Sequence, residues 1–143
     1  MNNNRLADDD KDSLIALVQT WLAASTEAEE VHFVNSGTLY FSKNSRKITQ
    51  ESGTMLQKVA EQLKNNTDKK ALLVGHTDES GDWTVNFKIS NERAWEAYRY
   101  LRNQGVPRSQ LIYYGKGSTE PAASNDNEQG REQNRRVEIS LID

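Results

Sequence analysis

Two charged residues stand where charge is unfavourable unless it has a task. Val85, Ile89, Ala97 and Leu101 recur at helical spacing, and the middle of their series is Arg93. Positions so spaced share one face of a helix. An arginine on an apolar stripe must be paired, must reach solvent at a cleft, or must snorkel from the stripe's edge. The second residue is Asp78, in Gly75-His76-Thr77-Asp78, which follows the apolar run Ala71-Leu72-Leu73-Val74. Binding groups collect where strands end and loops lead into helices. There a carboxylate and a guanidinium can pair with each other. They can also divide a zwitterion, the carboxylate taking an ammonium and the guanidinium gripping a carboxylate through a two-pronged contact. Spacing alone leaves both open.

The elements that must position these groups follow from periodicity. Residues 1–12 are polar and acidic and read as a disordered lead-in. Residues 13–22 read as a helix with Leu14, Leu17, Val18, Trp21 and Leu22 on one face, followed by a charged connector at Glu27–Glu30, in an N-terminal segment of helix and connector or strand over 13–36. Val31–Val34 and Thr38–Phe41 read as short strands split by a hairpin-like break at Asn35-Ser36-Gly37. Thr49 suits the cap of a helix reaching about Lys64, with Met55, Leu56, Val59, Ala60 and Leu63 as its stripe. The continuous run Ala71–Val74 suits a buried central strand. A long helix is expected from Trp83 to Asn103, capped by Asp82 and ended by Gly105. Gln110–Tyr114 and the alternating Val137, Ile139 and Leu141 read as strands, joined by a loop through Gly117, Pro121 and Asn125–Asn127. This order implies helices packed on one sheet, over residues 37–143.

Composition narrows the function. A net charge of −3, with acidic and basic residues interleaved, lacks the basic face of a nucleic-acid binder. The chain has no Cys and only two His, His32 and His76, so no zinc site or cofactor is expected. No apolar run approaches the ~18–20 residues of a membrane span, and Met1–Arg5 is not a signal peptide. For an exported protein, the targeting segment and membrane tether would lie ahead of this sequence. Ser80-Gly81 and Gly117-Ser118 lack a nucleophile elbow, and Gly115–Thr119 lacks the phosphate-loop spacing. Asp78 and Glu79 are neighbouring acids without the further features of a glycosidase pair. No enzyme is expected.

Gly75-His76-Thr77-Asp78, Gly81, Asn86, Ile89-Ser90 and Arg93-Ala94 resemble the GHTD…G…N..LS..RA signature of OmpA-like domains. Gly105-Val106, Gly115-Lys116-Gly117, Pro121, Asn125, Gly130-Arg131 and Asn134–Glu138 continue the resemblance over residues 37–142. It implies a two-layer αβ sandwich on a mixed four-stranded sheet, in the periplasm. It also implies non-covalent binding of the diaminopimelate in the peptidoglycan stem peptide, anchoring an envelope protein to the wall. Asp78 and Arg93 fall on the two residues that clasp the zwitterion. Thr77, Asn44, Asn86 and Arg136 fall on accessory positions, Arg136 being equally suited to a structural ion pair. Where many relatives carry an aromatic and then Asp after the first strand, this chain reads Ser42-Lys43-Asn44-Ser45. Lys43 and Asn44 favour one alternative, a protein-interaction domain that has lost wall binding; a wall hydrolase is the other. Oligomeric state and parent architecture are not legible.

Overall fold

The computed structural model describes residues 33–142. The lead-in and the helix expected at 13–22 lie outside them. Four strands form one sheet: β1 (Phe33–Tyr40), β2 (Lys70–His76), β3 (Leu111–Gly115) and β4 (Arg136–Ile142). Their order is β1-β4-β2-β3. β4 runs antiparallel to both β1 and β2, and β2 runs parallel to β3, so the sheet is mixed. Helix α1 (Gln50–Asn65) links β1 to β2, α2 (Trp83–Asn103) links β2 to β3, and a short α3 (Glu128–Asn134) precedes β4.

Each helix starts at a side-chain cap. Thr49 Oγ1 accepts the amide of Ser52, Asp82 Oδ1 that of Val85 and Asn127 Oδ1 that of Gly130. α2 closes just before Gly105, whose φ of +96° suits glycine. The apolar stripe of α1 (Leu56, Val59, Ala60 and Leu63) packs in one core with Ala97 and Leu101 of α2 and Val137, Ile139 and Leu141 of β4.

Three readings change. β1 is one strand whose register shifts between Asn35 and Gly37, so the expected hairpin is a β-bulge. The loop before β4 contains α3, whose sequence Glu-Gln-Gly-Arg-Glu-Gln-Asn has no apolar stripe to betray it. The buried face of α2 is Asn86, Ser90, Arg93, Ala94, Ala97 and Leu101; Val85 is 46% exposed. Mixed spacings of three and four follow the true turn of a helix, whereas strict fours drift around it. Arg93, 1% exposed, therefore sits mid-stripe and does not snorkel.

Two glycines set the height of α2 over the sheet. Gly75 and Gly115 face each other across the β2–β3 ladder. A Cβ on Gly75 would meet the backbone carbonyl of Ser90, and one on Gly115 would meet Ser90 Oγ and the Asn91 amide. This close approach brings Arg93 against the carboxyl end of β2. Ser90 Oγ accepts the Gly117 amide at 2.8 Å and donates to the Phe87 carbonyl, tying α2 to the loop after β3.

Candidate functional site

At the carboxyl end of β2 a narrow cleft is lined by Lys43, Asn44, Thr77, Asp78, Asn86, Arg93 and Arg135. Arg93 is held by three backbone carbonyls: Nε donates to Ser45 at 2.8 Å, Nη1 to His76 at 3.0 Å and Nη2 to Ser42 at 3.1 Å. Its guanidinium lies 5.4 Å from the centre of the Phe41 ring, a cation–π distance. These contacts join α2, the turn at Ser42–Ser45 and the end of β2. They also leave one N–H free on each Nη, since a guanidinium has five. Among the described residues no carboxylate pairs with Arg93. Burial lowers its pKa to about 10, with Arg135 adding to the effect and Asp78 opposing it, so it stays cationic at neutral pH.

Asp78 does not pair with Arg93. Its Oδ2 accepts from Arg135 Nη1 at 2.8 Å, and its Oδ1 accepts the Ser80 amide at 2.8 Å. Burial alone would raise this carboxyl group's pKa, but the Arg135 and Ser80 hydrogen bonds prevail and hold it below the usual carboxylate value. Arg135 also donates through Nη2 to Glu128 at 2.8 Å and through Nε to the Phe41 carbonyl.

The accessory residues divide. Thr77 Oγ1 is buried beside the cleft without a hydrogen-bond partner among the described residues. Asn86 Nδ2 donates to the Gly81 carbonyl at 3.3 Å. Asn44 lines the cleft and holds φ at +57°, a left-handed conformation that Asn tolerates better than most residues. Arg136 is not in the cleft. Its Nε pairs with Glu138 at 2.7 Å and its Nη2 donates to the Glu120 carbonyl. Arg136 thus makes the structural ion pair that the sequence reading also allowed, and the arginine lining the cleft is Arg135, which sequence reasoning missed. Arg135 is the C-cap of α3, immediately before β4 begins, so no strand or helix periodicity in the sequence marked its direction.

His76 contributes its carbonyl to the site, whereas its ring lies among groups outside the cleft. The ring is 1% exposed, and neither nitrogen finds a hydrogen-bond partner among the described residues. Burial first, then the charge of Arg136, push its pKa down to about 3. The ring is therefore neutral, and Glu138 Oε1 at 3.8 Å from Nε2 is no ion-pair partner. A histidine whose folded pKa is depressed stabilises the fold above its unfolded pKa of 6.5 and loses that contribution as pH falls towards 3. Urea unfolding is expected to lose about 1.4 kcal/mol per pH unit below 6.5, and His76→Phe to flatten the slope before carboxylates titrate.

A larger open groove of about 1000 Å³ adjoins the cleft at Asn44, between α1 and α2. Its charged pairs, Arg46 with Glu92 and Glu96 and Arg99 with Glu96, satisfy each other at the surface. The smaller cleft has the uncompensated charge and the buried hydroxyl group, and it is the candidate site.

Residues 40–135 match the OmpA family. The chain belongs to that family. Over 102 residues this OmpA-family chain is 37% identical to the peptidoglycan-associated lipoprotein of Pseudomonas aeruginosa, covering 71% of this chain and 60% of that protein. It is 33% identical over 109 residues to the peptidoglycan-binding protein ArfA of Mycobacterium tuberculosis, covering 76% of this chain and 33% of that protein. The chain thus spans less than two thirds of either relative. The crystal structure of the peptidoglycan-associated lipoprotein from Burkholderia pseudomallei matches with a TM-score of 0.71 at 29% identity, over 73% of this chain and 88% of that one. The OmpA-like sandwich expected from the sequence is the observed fold.

Proposed function

We propose that this OmpA-family domain binds peptidoglycan non-covalently and anchors an envelope protein to the wall from the periplasm. The observation that carries the reading is Arg93: a buried guanidinium with a free N–H on each Nη and no carboxylate partner, beside Asp78 in one cleft. That pair suits the zwitterionic end of diaminopimelate, Arg93 taking its carboxylate and Asp78 its ammonium. Arg135 fixes Asp78 in its ionised form, and Thr77 Oγ1 offers a further hydrogen bond. Asn44 and Asn86 complete the walls. The names of the two relatives, one peptidoglycan-associated and one peptidoglycan-binding, support the same ligand.

The cleft encloses only about 10 Å³, room for about one water. The ligand's carboxylate therefore seats at its rim, against the exposed turn Ser42–Asn44. Affinity at one such site need not be high, because the wall repeats and a tether raises effective concentration.

The protein is expected to sediment with purified wall sacculi and to be released by a soluble diaminopimelate-containing muropeptide. Failure to sediment while folded would favour a protein-interaction domain of the same fold, the rival suggested by Lys43 and Asn44. Appearance of soluble muropeptides during the incubation would instead mark a hydrolase.

A further inference from the structure

Three cations line the cleft, and they are not equally satisfied. Arg135 meets two carboxylates, Asp78 and Glu128, each at 2.8 Å. Arg93 meets only neutral carbonyls, which orient a guanidinium without cancelling its charge. Lys43 is exposed at the rim and has no carboxylate partner among the described residues. The cleft's one lining carboxylate, Asp78, is already engaged by Arg135 and the Ser80 amide. Two cations therefore face one cleft with no carboxylate bonded to either among the described residues.

We propose that the cleft reads the charge of its ligand's carboxyl group, accepting the ionised acid and excluding its carboxamide, with Lys43 adding to that selectivity. This rests on the reading that the cleft binds the zwitterionic diaminopimelate end. A carboxylate supplies the missing anion and two acceptor oxygens for the free N–H groups of Arg93. A carboxamide supplies no charge, and its NH₂ would face an Arg93 N–H, donor against donor. The ammonium end discriminates less, because it shares Asp78 with Arg135 and can use only the lone pairs left over. Lys43 strengthens the preference for an anion from the rim, through a solvent-screened attraction whose effect is small beside that of Arg93.

The test is calorimetric titration of the full chain with two synthetic muropeptides, identical except that the distal diaminopimelate carboxyl is free in one and amidated in the other. Wild type is expected to bind the acid at least about tenfold more tightly. Lys43→Gln should narrow that ratio about threefold by weakening the acid alone, a change that a merely structural lysine would not produce. Equal affinity of wild type for both peptides would overturn the selectivity and leave wall binding intact. An unchanged ratio in Lys43→Gln would remove Lys43 from the proposal. Binding of neither peptide by a folded protein would overturn the wall-binding reading, and this inference with it.

Discussion

Arg135→Ala is expected to lower the unfolding free energy at pH 7 by about 3 kcal/mol, the lower end of the range for breaking a buried ion pair from one side. The substitution leaves Asp78, 5% exposed, with the Ser80 amide but no cation. It also takes a donor from the Phe41 carbonyl. The half of the network that reaches Glu128 contributes little, because that carboxylate is exposed. With Arg135 gone, burial still raises the Asp78 pKa and only the Ser80 hydrogen bonds oppose it, so the pKa should rise from its depressed value. The sign for stability follows. In wild type the depressed pKa gives Asp78 a contribution that is present above the unfolded value of 3.8 and lost as pH falls through the folded one. In Arg135→Ala that contribution shrinks, and the gap between variant and wild type should narrow on acidification. Urea denaturation against pH measures this directly. Adding Asp78→Asn to Arg135→Ala should recover part of the loss, because the stranded charge disappears. A loss below about 1 kcal/mol would mean that water solvates the pair more than its burial implies.

Arg93→Ala is expected to damage both fold and function, and the two effects can be separated. Three carbonyls, those of Ser42, Ser45 and His76, lose their donor, and the turn bearing Lys43 and Asn44 loses its tie to α2. A cost of about 2–4 kcal/mol is expected from stranded polar groups and the space left in the buried stripe. Wall binding should fall at least about tenfold, since the group that receives the ligand's carboxylate is gone. Arg93→Lys separates the effects. It keeps the charge but replaces a planar fork with a point donor, so it should recover much of the stability while binding stays weak. Recovery of both by lysine would show that charge alone suffices and that two-pronged recognition is not used.

The residues explain why some of this was legible in the sequence and some was not. α2 was readable from end to end because Asp82 caps it and Gly105 stops it. The oddity of Arg93 was visible as a charge among apolar neighbours, and its burial bears that out. Which residues share its face was misjudged at Val85, because the true stripe begins with the polar Asn86 and Ser90, and apolar periodicity cannot see polar residues that are buried. The same blindness hid α3, which has a cap but no apolar face. The partner of Asp78 was a long-range matter, brought from the far end of the chain by the β2–β4 ladder. Arg135 was harder to read, because it caps the short helix α3 just ahead of β4, where neither helical nor strand periodicity fixes a side chain's direction. Asn44 was noticed as a missing carboxylate, whereas the structure gives it a backbone reason as well, a left-handed turn position.

The most direct test of wall recognition by this cleft is an NMR titration of the labelled protein with a soluble diaminopimelate-containing muropeptide, for wild type and Asp78→Asn. Saturable shifts are expected at Thr77, Asp78, Arg93 and the turn Ser42–Ser45 of wild type, and their loss is expected in a variant that is still folded. A folded wild type whose cleft resonances do not move at millimolar muropeptide would contradict the account.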